Sequence, residues 1–411
     1  MRLAGAGFAD VKFENIARNF YPGTWFWEDN DRFFVNQFGH PYHGSTYFAG
    51  ARINGFNFYG AIPFALLGSL QWETLYERES AINDVISTVL GGVSLGEILH
   101  RLFLELDARG STGAAIGGVF VSPFSGFNGI FNRPKREDAG GNIHALSFKA
   151  GTEKSFPYFE GRQNEGGAWH TAGGYLGVNV IYGNPFVQAS ARPYHHFEFD
   201  VEFAYNIDAY RMQVMSDGYL FSLALSDSGP SFTSTGLSLH YDFFNATNDI
   251  IDNEGPGNIP FSSNALAWSV KHARSLSDSS YISLKAHGGI VLWGNSTYID
   301  DRPGGGFAGD IYNTYGAGET LKLFFGVSNK KAGTLKLSAA GYHIFAVPVN
   351  GEHSTGSVFF LYSALSYDVP LGRRIGLGAQ IKCWNLYAFY DAAENISRRI
   401  VSAGVYTSFV F

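Results

Sequence analysis

Eight polar residues in the first quarter of the chain are of types that could do chemistry: His40, His43, Arg52, Glu73, Glu77, Asp84, Glu97 and Arg101. Histidine and carboxylate are ordinary Zn²⁺ ligands, so His40, His43 and Glu73 are the set a metal reading would use. The spacing argues against it. His40 and His43 are three apart in a loop around Pro41, not four apart on one helix face. Charges taken out of water must be paired, and ion-pair networks commonly produce such clusters. The expectation is therefore mutual pairing, with no metal and no cofactor. The single Cys383 excludes a disulfide framework and any cysteine metal site. A hydrolase would recruit His43 or His240 with a serine and an acid. No nucleophile motif accompanies them, and 12 histidines make chance pairs expected.

A second set of charges lies on alternating positions. Glu198, Asp200 and Glu202 alternate with Phe197, Phe199, Val201 and Phe203; His240 and Asp242 alternate with Leu239, Tyr241 and Phe243. Period 2 is the signature of a strand with one apolar and one polar face. Lys271, Lys285, Lys322, Lys336 and Lys382 occupy the polar face of other such runs. If these faces line a pore, the charges could select ions or hold a plug.

The elements that must carry these residues follow from composition. Glycine is 51 of 411 residues, aromatics are 16 % and charged residues only 16 %, where a soluble chain carries about 25 % charge. Mean hydropathy is −0.05, and the longest apolar run, 61–68, is far short of the ~18 residues a spanning helix needs. A transmembrane barrel reconciles these values, since half of each strand faces lipid and half faces the lumen. A soluble glycine-rich sandwich or solenoid is the competing class. The net charge of −7, with no basic block, argues against nucleic acid.

Alternation begins near residue 143 and gives twelve runs: 143–153, 168–182, 196–205, 218–226, 234–244, 264–274, 281–293, 319–328, 334–346, 357–367, 375–390 and 398–411. Long polar segments (245–263, 294–318, 347–356) alternate with short ones (275–280, 329–333, 368–374), as loops and turns do in these barrels. The connection 183–195 is too long for that rule. In the last run Val401, Ala403, Val405, Phe409 and Phe411 share one face with Thr407. This resembles the aromatic-ended C-terminal signature of outer-membrane barrels, which the barrel-assembly machinery reads.

Residues 1–140 follow another rule. Between Ser45 and Leu106 the pattern is helical, with Pro63 in the first turn of a helix to Glu79. Asn83 or Asp84 would cap a second helix. Gly92 and Gly96, four apart, would let another backbone come close. Arg133–Asp138 reads as a charged linker. The phrases His40-Pro41-Tyr42-His43-Gly44-Ser45, Trp72-Glu73 with Glu77, Ile82-Asn83-Asp84 and Leu90–Glu97 resemble those of an uncharacterised bacterial outer-membrane family, a domain of unknown function. Ser122-Pro123 and Phe131-Asn132-Arg133 extend the likeness over roughly 35–134. The resemblance implies an envelope location and no assigned activity.

The expectation is an all-β transmembrane antiparallel β-barrel of twelve strands over 141–411, with fourteen as the alternative. A helical, plug-like region, 1–140, would lie in or under the lumen, because such a barrel is wider than the eight-stranded kind that side chains alone fill. The chain would sit in the bacterial outer membrane, its signal peptide removed, with lipid and lipopolysaccharide as neighbours. Three functions fit: a plugged or gated channel, a lipid-modifying hydrolase, or a structural envelope protein. A continuous polar path would favour the first, a Ser–His–acid set near a lipid-facing opening the second, and a sealed, fully paired lumen the third.

Overall fold

The computed structural model describes residues 11–27, 32–131, 140–159, 172–184, 190–206, 209–247, 259–300, 310–347, 355–391 and 395–411. The Arg133–Asp138 linker lies outside them. Contacts divide the chain at Gly141/Asn142 into a helical unit and a strand unit.

In the helical unit, α1 is Phe13–Asn19, α2 His40–Ile53, α3 Phe58–Leu75, α4 Ile82–Asp107, α5 Thr112–Val121 and α6 Pro123–Phe131. Four sequence expectations change here. His40 and His43 are not in a loop: Pro41 takes the first turn of α2, where its missing N–H costs nothing, and both histidines are helical. Pro63 lies inside α3, because Asn57, six residues earlier, caps the helix by accepting from the Gly60 N–H at 2.8 Å. The start of α4 is set at Ala81, with Asn83 and Asp84 inside its first turn. Finally, α4 is long and apolar enough to cross a membrane, although 67 % of that stretch is buried in the structure. Its apolarity escaped notice because serine, glycine and single charges interrupt every run.

Glycine dictates how α2 meets α4. A Cβ on Gly44 would lie 1.9 Å from the Thr88 carbonyl oxygen, and one on Gly92 would lie 2.7 Å from Gly44. The two backbones touch there, and Gly96 makes the same kind of room for Phe48. Gly44→Ala must push the helices apart, at about 1–3 kcal/mol or more for overpacking. Amide exchange in α2 and α4 should accelerate accordingly while barrel amides are unchanged. Unaltered exchange in α2 would show that the seam is looser than its geometry.

The strand unit is a closed antiparallel barrel of twelve strands. They are β1 Ile143–Phe159, β2 Gly173–Tyr182, β3 Phe197–Tyr205, β4 Tyr210–Ser228, β5 Ser231–Thr247, β6 Ile259–Ser277, β7 Ser280–Asp300, β8 Asp310–Asn329, β9 Gly333–Ala346, β10 Gly356–Pro370, β11 Ile375–Tyr390 and β12 Ile396–Val410. Each pairs with its sequence neighbour, and β1 closes on β12 from Ser147↔Val410 to Phe159↔Arg398. Twelve strands thus hold and fourteen do not. The connection between β2 and β3 is exceptional because it does not simply turn. Ser190 bridges Ser222, and the Tyr194 N–H bonds to the Tyr219 carbonyl at 2.6 Å, so the segment prolongs the edge along β4.

The outer face carries exposed Leu176, Ile290, Leu321, Leu337, Leu361, Ile381 and Val405. Aromatic rims bound it, Phe148, Tyr367 and Phe409 toward the chain ends and Phe156, Tyr158, Phe345 and Phe389 at the other edge. From Arg399 to Phe409 along β12 is ~33 Å of strand, or ~25 Å of height at a ~40° tilt, the thickness of a membrane-barrel apolar band.

Candidate functional site

The first polar set forms three separate groups on the helices. Glu97 is fully buried and accepts from Arg52 Nε at 2.6 Å, Arg52 Nη2 at 3.1 Å and Arg101 Nε at 2.8 Å. His40 faces Asp84 at 3.7 Å and Thr88 at 3.4 Å. Glu77 accepts from Trp72 Nε1 at 2.6 Å, and Glu73 accepts from the Ala81 N–H at 3.0 Å. His43 lies against the Tyr47 and Trp72 rings, 4.7 Å from each centroid. No group of three or more His, Cys, Asp or Glu side chains able to hold a metal forms among the described residues.

The second set lies inside the barrel, where distances cross from strand to distant strand. Glu198 on β3 meets Lys271 on β6 at 3.2 Å and Lys285 on β7 at 2.5 Å. Glu202 pairs with Lys382 on β11, and Asp242 on β5 pairs with Lys322 on β8. Asp200 accepts from Asn179 Nδ2 at 3.2 Å. Lys336 stands apart. It is exposed, and its electrostatic neighbours are Lys149, Asp368, Glu198 and Asp200.

Sequence reasoning missed the centre of this network. Arg211, fully buried on β4, donates to Glu153 on β1 at 2.7 and 3.1 Å, approaches Glu202 at 3.5 Å and lies 4.5 Å over the Trp384 ring. Gln380 and Tyr175 complete the group, at 3.3 Å from Glu153 and 2.9 Å from Glu202. The signal for it is the alternation Arg211, Gln213, Met215, Asp217, which lies before the fourth run at 218–226. His196, the first residue of the third run, lies 2.6 Å from Lys271 and has no sequence signal of its own.

Beside the ions lies an aromatic layer. Phe244 on β5 stacks on Trp384 on β11, the diametrically opposite strand, at 5.1 Å. Phe261 on β6 stacks on Phe360 on β10 at 4.3 Å, and Tyr342 on β9 lies 4.9 Å from Phe261. The space left among them is about 10 Å³, room for at most one water. The expectation that side chains alone cannot fill a barrel this wide therefore fails at this level, because the inward positions are large rings projecting from facing walls.

The hydrolase residues form no triad. Ser238 Oγ lies 2.7 Å from His240 Nε2, but His240 Nδ1 lies 3.0 Å from Lys322 Nζ. An ammonium only donates, so Nδ1 accepts and the neutral ring carries its hydrogen on Nε2, donating to Ser238. His240 so held cannot take the serine proton, and both side chains are fully buried.

Residues 25–124 match the model of a family described as a domain of unknown function, DUF3943. No curated protein matches the chain. Solved structures similar to it include an outer-membrane channel from Pseudomonas putida F1 (9 % identity, 66 % of this chain and 96 % of that one, TM-score 0.31). The NanC porin (11 %, 63 % and 98 %, 0.30) and the Pseudomonas putida toluene transporter TodX (9 %, 65 % and 89 %, 0.23) are others. Likeness at this level says nothing about what passes through this barrel.

Proposed function

We propose that the chain is an outer-membrane barrel channel that is closed at rest, its solute undefined. The closed barrel and its ~25 Å apolar band bounded by aromatic rims support the membrane. The observation that carries the channel reading is the content of the lumen. A barrel filled only for stability is better served by apolar side chains, since a buried ion pair gains little over a hydrophobic replacement. This lumen instead holds Arg211, Lys271, Lys322 and Lys382 against four carboxylates. Such pairs form a path a solute or ion could traverse once the rings beside them part.

The seal itself favours a second reading, a structural envelope barrel that never conducts. In planar bilayers the intact protein should conduct weakly. Phe244→Ala with Phe360→Ala, which empties the middle of the aromatic layer, should raise single-channel conductance several-fold, provided the barrel stays heat-modifiable on gels. Arg211→Met should do less and destabilise the barrel by about 3–5 kcal/mol, because Glu153 loses its cation while Glu202 keeps only Lys382. Folded double variants that stay silent would favour the structural reading.

A further inference from the structure

The helical unit buries an apolar core that includes Phe48, Ile98 and Phe103, yet it hides carboxylates and shows apolar faces as a water-soluble bundle does not. Glu73 and Glu97 are 0 % exposed and Asp84 1 %, whereas Leu67 is 61 %, Phe120 81 %, and Phe124 and Phe127 each 58 % exposed. In water the hydrophobic effect would favour the opposite partition. No charge occurs between Arg52 and Glu73, which bracket most of α3, nor between Arg109 and Arg133, which bracket α5 and α6. The surface charges gather toward the two ends of α4. Arg18 and Asn15 of α1 bond to the Arg78 carbonyl a few residues before α4 begins, and Arg109 follows its end. With 26 residues α4 is ~39 Å long, enough to reach across a hydrocarbon core of ~30 Å.

We propose that the exposed faces of α3, α5 and α6 are immersed in lipid, with acyl chains as their partner and the charges at both ends of α4 placed at headgroup level. Acyl chains fit where a polar protein surface does not. Leu67, Phe120, Phe124 and Phe127 offer no donor or acceptor, and exposed patches of this kind on soluble proteins are rare. The same chain already presents an apolar band to lipid around its barrel, so the solvent required is at hand. The interior supports the assignment as well, since ionisable residues in a membrane-embedded bundle turn inward and pair, as Glu97 does with Arg52 and Arg101. α5 and α6, broken at Ser122-Pro123, are each too short to span alone, and they meet backbone to backbone at Gly126 against Val119.

The test uses the full chain with Cys383→Ser and single cysteines at Leu67, Phe120 or Phe127, each labelled with bimane. The labelled proteins are placed in phosphatidylcholine vesicles with and without brominated acyl chains. Val405→Cys reports the barrel's own band, and Arg78→Cys the charged end. Quenching at the three helical sites should come within twofold of Val405 and exceed that at Arg78 at least threefold. Quenching at the Arg78 level, with Val405 quenched, overturns the proposal and leaves the membrane barrel standing. Lack of quenching at Val405 would instead overturn the membrane reading on which the proposal rests. A photo-crosslinker at Phe120 supplies an independent arm. Lipid adducts support the proposal, and crosslinks only within the chain or between two copies overturn it.

Discussion

Closure of the sheet between β1 and β12 is the condition on which the strand unit depends. Within hydrocarbon an unpaired backbone N–H or C=O costs several kcal/mol, and an open sheet would leave two rows of them. The seam removes both rows. Thirteen residue pairs join β1 to β12, from Ser147↔Val410 to Phe159↔Arg398. Its outer side is finished by rings, with Phe148 edge-on to Phe411 at 5.9 Å and the Phe411 N–H bonded to the Leu146 carbonyl at 2.9 Å. Everything inside the barrel follows from this closure, because alternation then forces half of every strand into a lumen that water fills only where side chains leave room.

What occupies that lumen is decided by reach and by charge. Short polar side chains cannot meet across twelve strands, so the inward positions that touch are long or large: Arg211, Lys382, Lys285, Trp384 and the facing phenylalanines. Charges desolvated in this way cannot be left single, and each cation is matched to a carboxylate several strands away. The pairs therefore also act as struts. Removing Arg211 would release contacts to β1 and β3 and the ring of Trp384 on β11 in one step.

The barrel was legible in the sequence because its signal is local and repeats. Residues such as Leu321 to Val327, with Lys322 between them, show a strand's two faces within seven positions, and all twelve strands were found that way. Strand ends were less legible. Alternation in 210–217 sets Arg211, Gln213 and Asp217 against Tyr210, Met212 and Val214, but Met215 and Ser216 each fall on the wrong face and blur the pattern where the strand with the buried Arg211 begins. The helical third was less legible again. Asn57 outranks Pro63 as a helix start only once its side chain is seen on Gly60, and while the i,i+4 spacing points Glu97 to Arg101, no spacing rule brings in Arg52 from α2. Lumen partners such as Arg211 and Glu153 lie 58 residues apart in sequence, and only the closed topology brings them together.

One physical rule unites the two units without any reference to how they are arranged. In water a fold hides apolar side chains and shows charge; in hydrocarbon the transfer term for the surface changes sign while buried polar groups still need partners. The barrel obeys the second regime by alternation, sending Leu361 and Ile381 outward and Lys382 inward from neighbouring positions. The helices obey it by periodicity, sending Leu67 and Phe120 outward and Glu73 and Glu97 inward. Glycine serves both, as the place where α2 and α4 touch at Gly44 and Gly92, and where Gly151 lets β1 and the Tyr406 backbone of β12 come together. A sequence with 16 % charge and 51 glycines is what this regime demands of a chain built from strands and helices alike. Its composition is thus evidence about the solvent of both units, and not of the barrel alone.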